Sequence, residues 1–202
     1  MNRNILVTSL LAAGLITTQA HAQATIHTGS AVEGGNYAIE PGHTRVLWST
    51  THMGFTTWYG EFTKTAGTLK LDPTDPAGSA LSIIIRTDSV STTNERLDGE
   101  LVGSEWFDAA DYPTITFVST SVEQTGPNTA NVTGNLTFHG VTRPITLAVK
   151  FNGAGVNPLD KKYTAGFDVS GELNRSDYGQ NTDVPMIGDD VKLIISAAFE
   201  HE

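Results

Sequence analysis

Strict alternation of apolar and polar residues in the last third of the chain restricts the fold more than any other feature. Ile145, Leu147, Val149 and Phe151 alternate without a break, as do Tyr163, Ala165, Phe167 and Val169, and again Val191, Leu193, Ile195, Ala197 and Phe199. Successive side chains of a β-strand point to opposite faces, so a period of two marks strands with one apolar face. The other faces carry Lys150, Thr164, Asp168, Lys192 and Glu200. Such strands, dry on one side and wet on the other, belong to an antiparallel sheet around a single core. A further strand, Ala130–Phe138, turns at His139-Gly140 into Thr142–Phe151.

Earlier strands are shorter but similarly spaced. Tyr37–Glu40 precedes the Pro41-Gly42 turn, and Arg45–Thr51 sets Val46 and Trp48 on one face. Trp58–Leu71 carries Phe62, Leu69 and Leu71; Leu81–Arg86 follows a break at Asp72–Gly78, and another strand runs through Ile115 and Phe117. About eight strands joined by short turns predict an all-β fold, an antiparallel meander that closes into a barrel and removes its own edges. At that size the interior either fills with side chains or holds one small ligand, and it is not expected to be hollow along its whole length. A two-sheet sandwich with a solid core is the rival architecture. Thr92–Gly103 is the one helical pattern. Thr92 and Glu95 have the spacing of a capping box, Leu97, Leu101 and Val102 share a face, and Gly103 ends the run. Trp106, Phe107 and Tyr112 follow, so the insertion is expected to cross or plug one barrel end.

The first residues read as a targeting signal. Arg3 supplies a positive start, Ile5–Ile16 is an apolar run too short to span a bilayer, and Ala20-His21-Ala22 is a small-x-small cleavage site, with Ala22-Gln23-Ala24 as the alternative. Residues 1–22 are thus expected to be removed as a signal peptide, 23–36 to form a flexible leader and 37–202 to form one domain. The predicted location is the periplasm, or outside the cell. No later run reaches the roughly 20 apolar residues of a membrane span, so no integral membrane segment is expected in the mature chain. There is no cysteine, which removes disulfides and thiol chemistry. With 22 acidic residues against 12 basic ones the surface repels phosphate backbones, and nucleic acid is not an expected partner.

Catalytic motifs are sparse. His43, His52, His139 and His201 are scattered without a short-spaced carboxylate, so no metal site is expected. No Gly-x-Ser-x-Gly or phosphate-cradling glycine loop occurs, and no catalytic residue is assigned. Asp108/Asp111 and Asp189/Asp190 read as solvated turn residues in an acidic protein. Charges beside apolar sequence are more informative: Arg96, Asp98, Glu100, Arg175 and Asp177 are expected to form a polar cluster at one barrel end, near a pocket mouth. Such a cluster either locks the helix down or orients a ligand headgroup, and buried charges must in either case be paired.

The residues stand in an order that resembles the YceI-like family. The match starts at Tyr37-Ala38-Ile39-Glu40-Pro41-Gly42-His43-Thr44, continues through His52-Met53-Gly54-Phe55 and Gly60-Glu61-Phe62, and takes in Trp106-Phe107-Asp108 and Tyr112-Pro113. It ends with Phe117-Val118-Ser119-Thr120, Gly134 to Pro144, and Asn174-Arg175-Ser176-Asp177-Tyr178-Gly179. The resemblance implies a lipocalin-like antiparallel barrel in an exported bacterial protein that binds polyisoprenoids or other long-chain amphiphiles. It allows a homodimer. Three departures stand out: Glu100 replaces the family's usual histidine, Glu40 a usual aspartate, and Tyr178 a usual phenylalanine.

Together these features predict a carrier that sequesters an isoprenoid, a polyprenyl chain or a similar long-chain lipid, an isoprenoid quinone included, with no other cofactor. A barrel enzyme acting on a lipid, with His52 and Asp98 or Glu100 as acid and base, is the alternative, and a ligand-free stress or interaction protein is a second. If Val46 and Trp48 point inward, Thr50 and His52 share their face. The expected ligand-binding residues are then Trp48, His52 and Phe62 on the early strands, and Ile83, Ile85, Phe117, Leu136, Phe138, Leu147, Phe167 and Leu193 on the later ones. Leu97, Leu101 and Phe107 close the top.

Overall fold

A computed structural model describes Ile26 and residues 28–202, so the expected signal peptide lies outside the described residues. The strands are β1 (Gly35–Ile39), β2 (Arg45–His52), β3 (Thr56–Phe62), β4 (Thr65–Leu71), β5 (Ala80–Arg86), β6 (Val90–Ser91), β7 (Thr114–Gly126), β8 (Thr129–Phe138), β9 (Val141–Val156), β10 (Tyr163–Asn174) and β11 (Asp190–His201). One helix, α1 (Glu95–Leu101), lies between β6 and β7. All pairings are antiparallel. The ring β1-β4-β5-β7-β8-β9-β10-β11 closes because β11 also pairs with β1, giving the expected eight-stranded barrel.

Three of the staves bend. β1 and β2 form one stave broken at residues 40–44, β3 and β4 another broken at Thr63-Lys64, and β5 and β6 a third broken at residues 87–89. Trp58–Leu71, expected as one strand, is thus two. Side chains stitch the bend where ladder bonds are lost. Ser89 Oγ donates to Arg86 O (2.6 Å) and accepts from Lys64 N (3.1 Å), and Thr63 Oγ1 donates to Ser89 O (3.1 Å). Above the bend β6 pairs with β3, while the β5–β7 ladder stops at Arg86 and Thr114. The helical insertion fills the wall between them.

The helix starts later than the capping-box spacing suggests. Thr93 takes φ 64°, which swings Thr92 out of line with the helix axis. Asn94 is the N-cap instead, its side chain accepting from Leu97 N at 3.3 Å. Thr92 donates through both N and Oγ1 to Asp98 Oδ1, each at 2.6 Å, and so ties the helix to the end of β6. The leader boundary also shifts. β1 begins at Gly35, and Val32 is buried against the lower core with Tyr37, Leu69 and Phe199. Tyr37 Oη donates to Glu33 O at 2.5 Å, and burial pushes its phenol up to about 12.

Small residues let the wall carry large ones. Gly60 and Gly134 both face inward, and a Cβ on Gly60 would stand 2.3 Å from Trp48 Cζ2. A Cβ on Gly134 would stand 2.4 Å from Phe117 Cζ and 2.6 Å from Val118 O. Both rings therefore lie flat along the wall across a neighbouring glycine. Because the Val118 carbonyl is fixed in the ladder, Gly134→Ala is expected to lower stability by about 1–3 kcal/mol in denaturant titration. At the bend of the first stave, burial pushes the Glu40 carboxyl up, but bonds from Gly42 N, the His43 ring and His43 N outweigh it and hold the group below its ordinary range. A depressed folded pKa contributes stability above the unfolded value and loses it as pH falls through the folded one. Glu40→Gln is expected to destabilise by about 1 kcal/mol at neutral pH, the difference shrinking on acidification in pH-resolved melts.

Candidate functional site

The barrel is hollow. A cavity of about 620 Å³ runs from Met53, Trp58 and Ile187 at the helix end to Asp72, Pro73 and Pro127 at the other. The expectation that such a barrel could not be hollow along its length fails because rings such as Trp48 and Phe117 lie along the wall instead of reaching the axis.

Period two turns one set of side chains on each stave toward the interior. Trp48, His52, Phe62, Ile83, Ile85, Leu97, Leu101, Phe107, Phe117, Leu136, Phe138, Leu147, Phe167 and Leu193 all line the cavity. They divide in two. Trp48, Phe62, Leu101, Phe117, Leu136, Phe138 and Leu147 are buried against protein and form the packed wall. His52, Ile83, Ile85, Leu97, Phe107, Phe167 and Leu193 are only half-buried though they point inward, so their free surface faces the cavity.

At the helix end Phe107 is the hub. Its ring centroid lies 6.3 Å from that of Trp48, 5.5 Å from Phe62 and 5.8 Å from Phe138, distances at which edge-to-face and tilted ring pairs attract. Its neighbour Trp106 carries the Arg175 guanidinium 5.6 Å over its ring. Among the described residues Arg175, only 6% exposed, has no carboxylate within ion-pair distance. It donates to four carbonyls instead: Nε to Gly188 (2.9 Å), Nη1 to Gln180 (2.9 Å), and Nη2 to Thr182 (2.8 Å) and Ile187 (2.9 Å). Burial pulls its pKa below the ordinary value, while Asp189 and Asp183 raise it.

The expected polar cluster does not assemble. Arg96 and Asp177 are exposed, and Asp177 faces Arg143 at 3.8 Å. Asp98 is committed to Thr92. Only Glu100 and Arg175 of the five line the cavity. The physical reason is that carbonyls of the 180–188 loop take four of the five N–H donors of Arg175, so backbone groups and not the helix carboxylates hold the guanidinium. Nor do the alternative's acid and base meet. The His52 ring lies 5.6 Å from that of Trp58, and among the described residues no hydrogen bond or ion pair joins it to Asp98 or Glu100.

Several lining residues escape sequence reasoning. Trp58 was legible, since it shares the parity of Phe62, four residues on in β3. Gln180, Asp183 and Ile187 were not, because they belong to an irregular loop drawn over the mouth by Arg175. All three tryptophans of the chain, Trp48, Trp58 and Trp106, line the cavity.

A closed meander around an apolar cavity narrows the possibilities, and a YceI-like domain model matches residues 37–199. The chain belongs to the YceI-like family. Protein YceI of Salmonella arizonae is 37% identical over 171 residues, covering 84% of this chain and 88% of that protein. Among solved structures, BcnA of Burkholderia cenocepacia superposes with a TM-score of 0.72 at 26% identity, covering 79% of this chain and 98% of that one. A polyisoprenoid-binding domain from Saccharophagus degradans, implicated in plant cell wall breakdown, superposes with a TM-score of 0.60 at 14% identity, covering 84% and 100%. At that identity the last likeness concerns the fold alone.

One departure from the YceI-like pattern now has a measurable consequence. Tyr178 is 1% exposed beside Phe138, and its hydroxyl has no hydrogen-bond partner among the described residues. Tyr178→Phe is expected to raise stability by about 1 kcal/mol by removing that unsatisfied group. Arg175→Met is expected to cost on the order of 3–5 kcal/mol, since it removes the donors to four carbonyls, of which Gly188 O keeps a bond from Thr50 Oγ1 (3.0 Å). Arg175→Lys should recover little of this, because an ammonium cannot span them. Denaturant titration of the three variants checks both statements.

Proposed function

We propose that this YceI-like protein is a periplasmic or secreted carrier that sequesters an isoprenoid, polyprenyl or similar long-chain lipid inside the barrel without transforming it. The cavity carries the reading. Its walls are apolar side chains from every stave, with few polar groups among them. Taking the roughly 30 Å³ that one molecule of liquid water occupies as the share of each heavy atom, the volume suits on the order of 20 non-hydrogen atoms. Burying that many carbons contributes roughly 16 kcal/mol gross at about 0.8 kcal/mol each. The polyisoprenoid-binding domain of Saccharophagus degradans, which shares the fold, supports the ligand class. An isoprenoid quinone belongs to the same class. Asp98 is engaged by Thr92, and the His52 ring stands against that of Trp58. Export rests on the N-terminal sequence pattern. No described helix is long and apolar enough to cross a membrane.

Native mass spectrometry after gentle purification from the producing cells is expected to show intact lipid on the protein. Turnover of added lipid, or a protein that stays bare, would overturn the carrier reading. Because every tryptophan faces the cavity, a short-chain quinone is expected to quench the intrinsic fluorescence saturably. Ile83→Asp and Leu193→Asp place a charge on half-buried inward positions and are expected to weaken uptake about tenfold or more while circular dichroism stays native. Leu101→Asp or Phe138→Asp, at residues 5% and 8% exposed, should instead collapse the fold.

A further inference from the structure

The apolar surface continues past the cavity onto the outside of the protein at one end. Met53 and Phe55 form the tip of the β2–β3 turn, 52% and 86% exposed, and Val184 and Met186 stand on the neighbouring loop. Met53 N donates to Met186 O at 2.6 Å, Gly188 N donates to Thr51 O at 2.8 Å, and His52 bridges to Ile187, so the two segments form one rim. Met53 and Ile187 also line the cavity, which makes rim and interior a continuous apolar surface. The two rim segments are poor in charge, residues 51–59 holding no acid, lysine or arginine and residues 181–188 only Asp183, whereas the helical insertion at the same end is mostly acidic, with Glu95, Asp98, Glu100 and Glu105 beside Arg96. At the opposite end the loops are charged, with Asp72, Asp75, Asp160, Lys161 and Lys162.

We infer that this rim docks on the surface of a lipid bilayer of low net charge and presents the cavity mouth to it. The inference rests on the carrier reading for its purpose, because a long-chain lipid that crossed free water would lose the burial that both membrane and cavity give it. Large apolar side chains seated at the headgroup level are the usual means of such reversible contact. Charge selects the kind of surface. A chain with 22 acidic against 12 basic residues, and no basic patch on the rim, is repelled by anionic headgroups and not by zwitterionic ones.

Flotation of the full-length mature protein with phosphatidylcholine vesicles tests this, for the wild type and for Phe55→Ser combined with Met186→Ser. Both positions are exposed, so the variant is expected to keep the wild-type melting curve. The wild type should float, equally at low and high salt, and the variant's partitioning should fall about tenfold or more. Both proteins should take up quinone equally from detergent micelles. Equal flotation of the two, no flotation of the wild type, or binding only to anionic vesicles that salt abolishes would each overturn the proposal. So would a wild-type dimer in sedimentation that the double substitution dissociates, since a second copy would then cover the rim. Flotation needs no lipid to enter the barrel. A wild type that floats but takes up nothing from micelles would therefore overturn the carrier reading and leave the docking surface standing.

Discussion

The barrel depends on a seam at which its last strand must serve two partners. The lower half of β11 pairs with β1 from Phe199 to His201, and its upper half pairs with β2 from Lys192 to Ser196. Between them the first stave leaves the ladder at Pro41–His43, and Ala198 holds both sides of the gap. Its carbonyl accepts from Glu40 N at 2.8 Å, and its amide donates to Thr44 Oγ1 at 3.1 Å. Thr44, 3% exposed, also donates to Glu40 O at 2.8 Å and closes the turn on itself. A side-chain hydroxyl thus stands in for the missing backbone partner, in keeping with the rule that buried peptide groups are rarely left unpaired. Without that substitution the amide of Ala198 would be left unpaired in the gap between the two ladders that close the ring.

Closure explains why the helical insertion sits where it does. Three staves bend together near their upper third, and the ladder between β5 and β7 ends at Arg86 and Thr114. The opening above is too wide for a turn, and the chain fills it with Leu97, Leu101 and Phe107 facing inward. Asp98 bonds the helix to Thr92, and Arg175 draws the 180–188 loop across the adjacent rim through neutral carbonyls. A cation satisfied by carbonyls shapes a loop without an ion pair of its own among the described residues.

Much of this was legible in the chain, for reasons that differ between its parts. Period-two alternation is dictated by the pleat, so β9, β10 and β11 and their inward residues could be read directly, and closure followed from strand number. The helix was legible through Leu97 and Leu101, but its start was not, because the positive φ of Thr93 is a local conformation that spacing does not encode. The polar cluster failed for another reason. Arg175 is close in sequence to acids, yet its partners are backbone groups, which every residue carries and which no pattern of side chains reveals. A ligand-holding interior was expected, but not one that runs the length of the barrel, because the orientation of a ring along a wall depends on glycines in the neighbouring strand, such as Gly60 beside Trp48 and Gly134 beside Phe117.

Those glycine–ring pairs separate the calibre of the barrel from its construction. Strand number, register and hydrogen-bond ladder set the outer frame, whereas the bore is set by which inward positions lack a side chain and let a neighbour lie down. Gly171 beneath Leu147 and Gly67 beside Ile83 repeat the arrangement elsewhere in the wall. A lineage built on this frame can widen, narrow or bend its channel by exchanging the members of such pairs together, leaving every main-chain bond in place. Relatives that superpose well at low identity can then differ in what they hold, since the part of the chain that selects cargo is not the part that makes the wall.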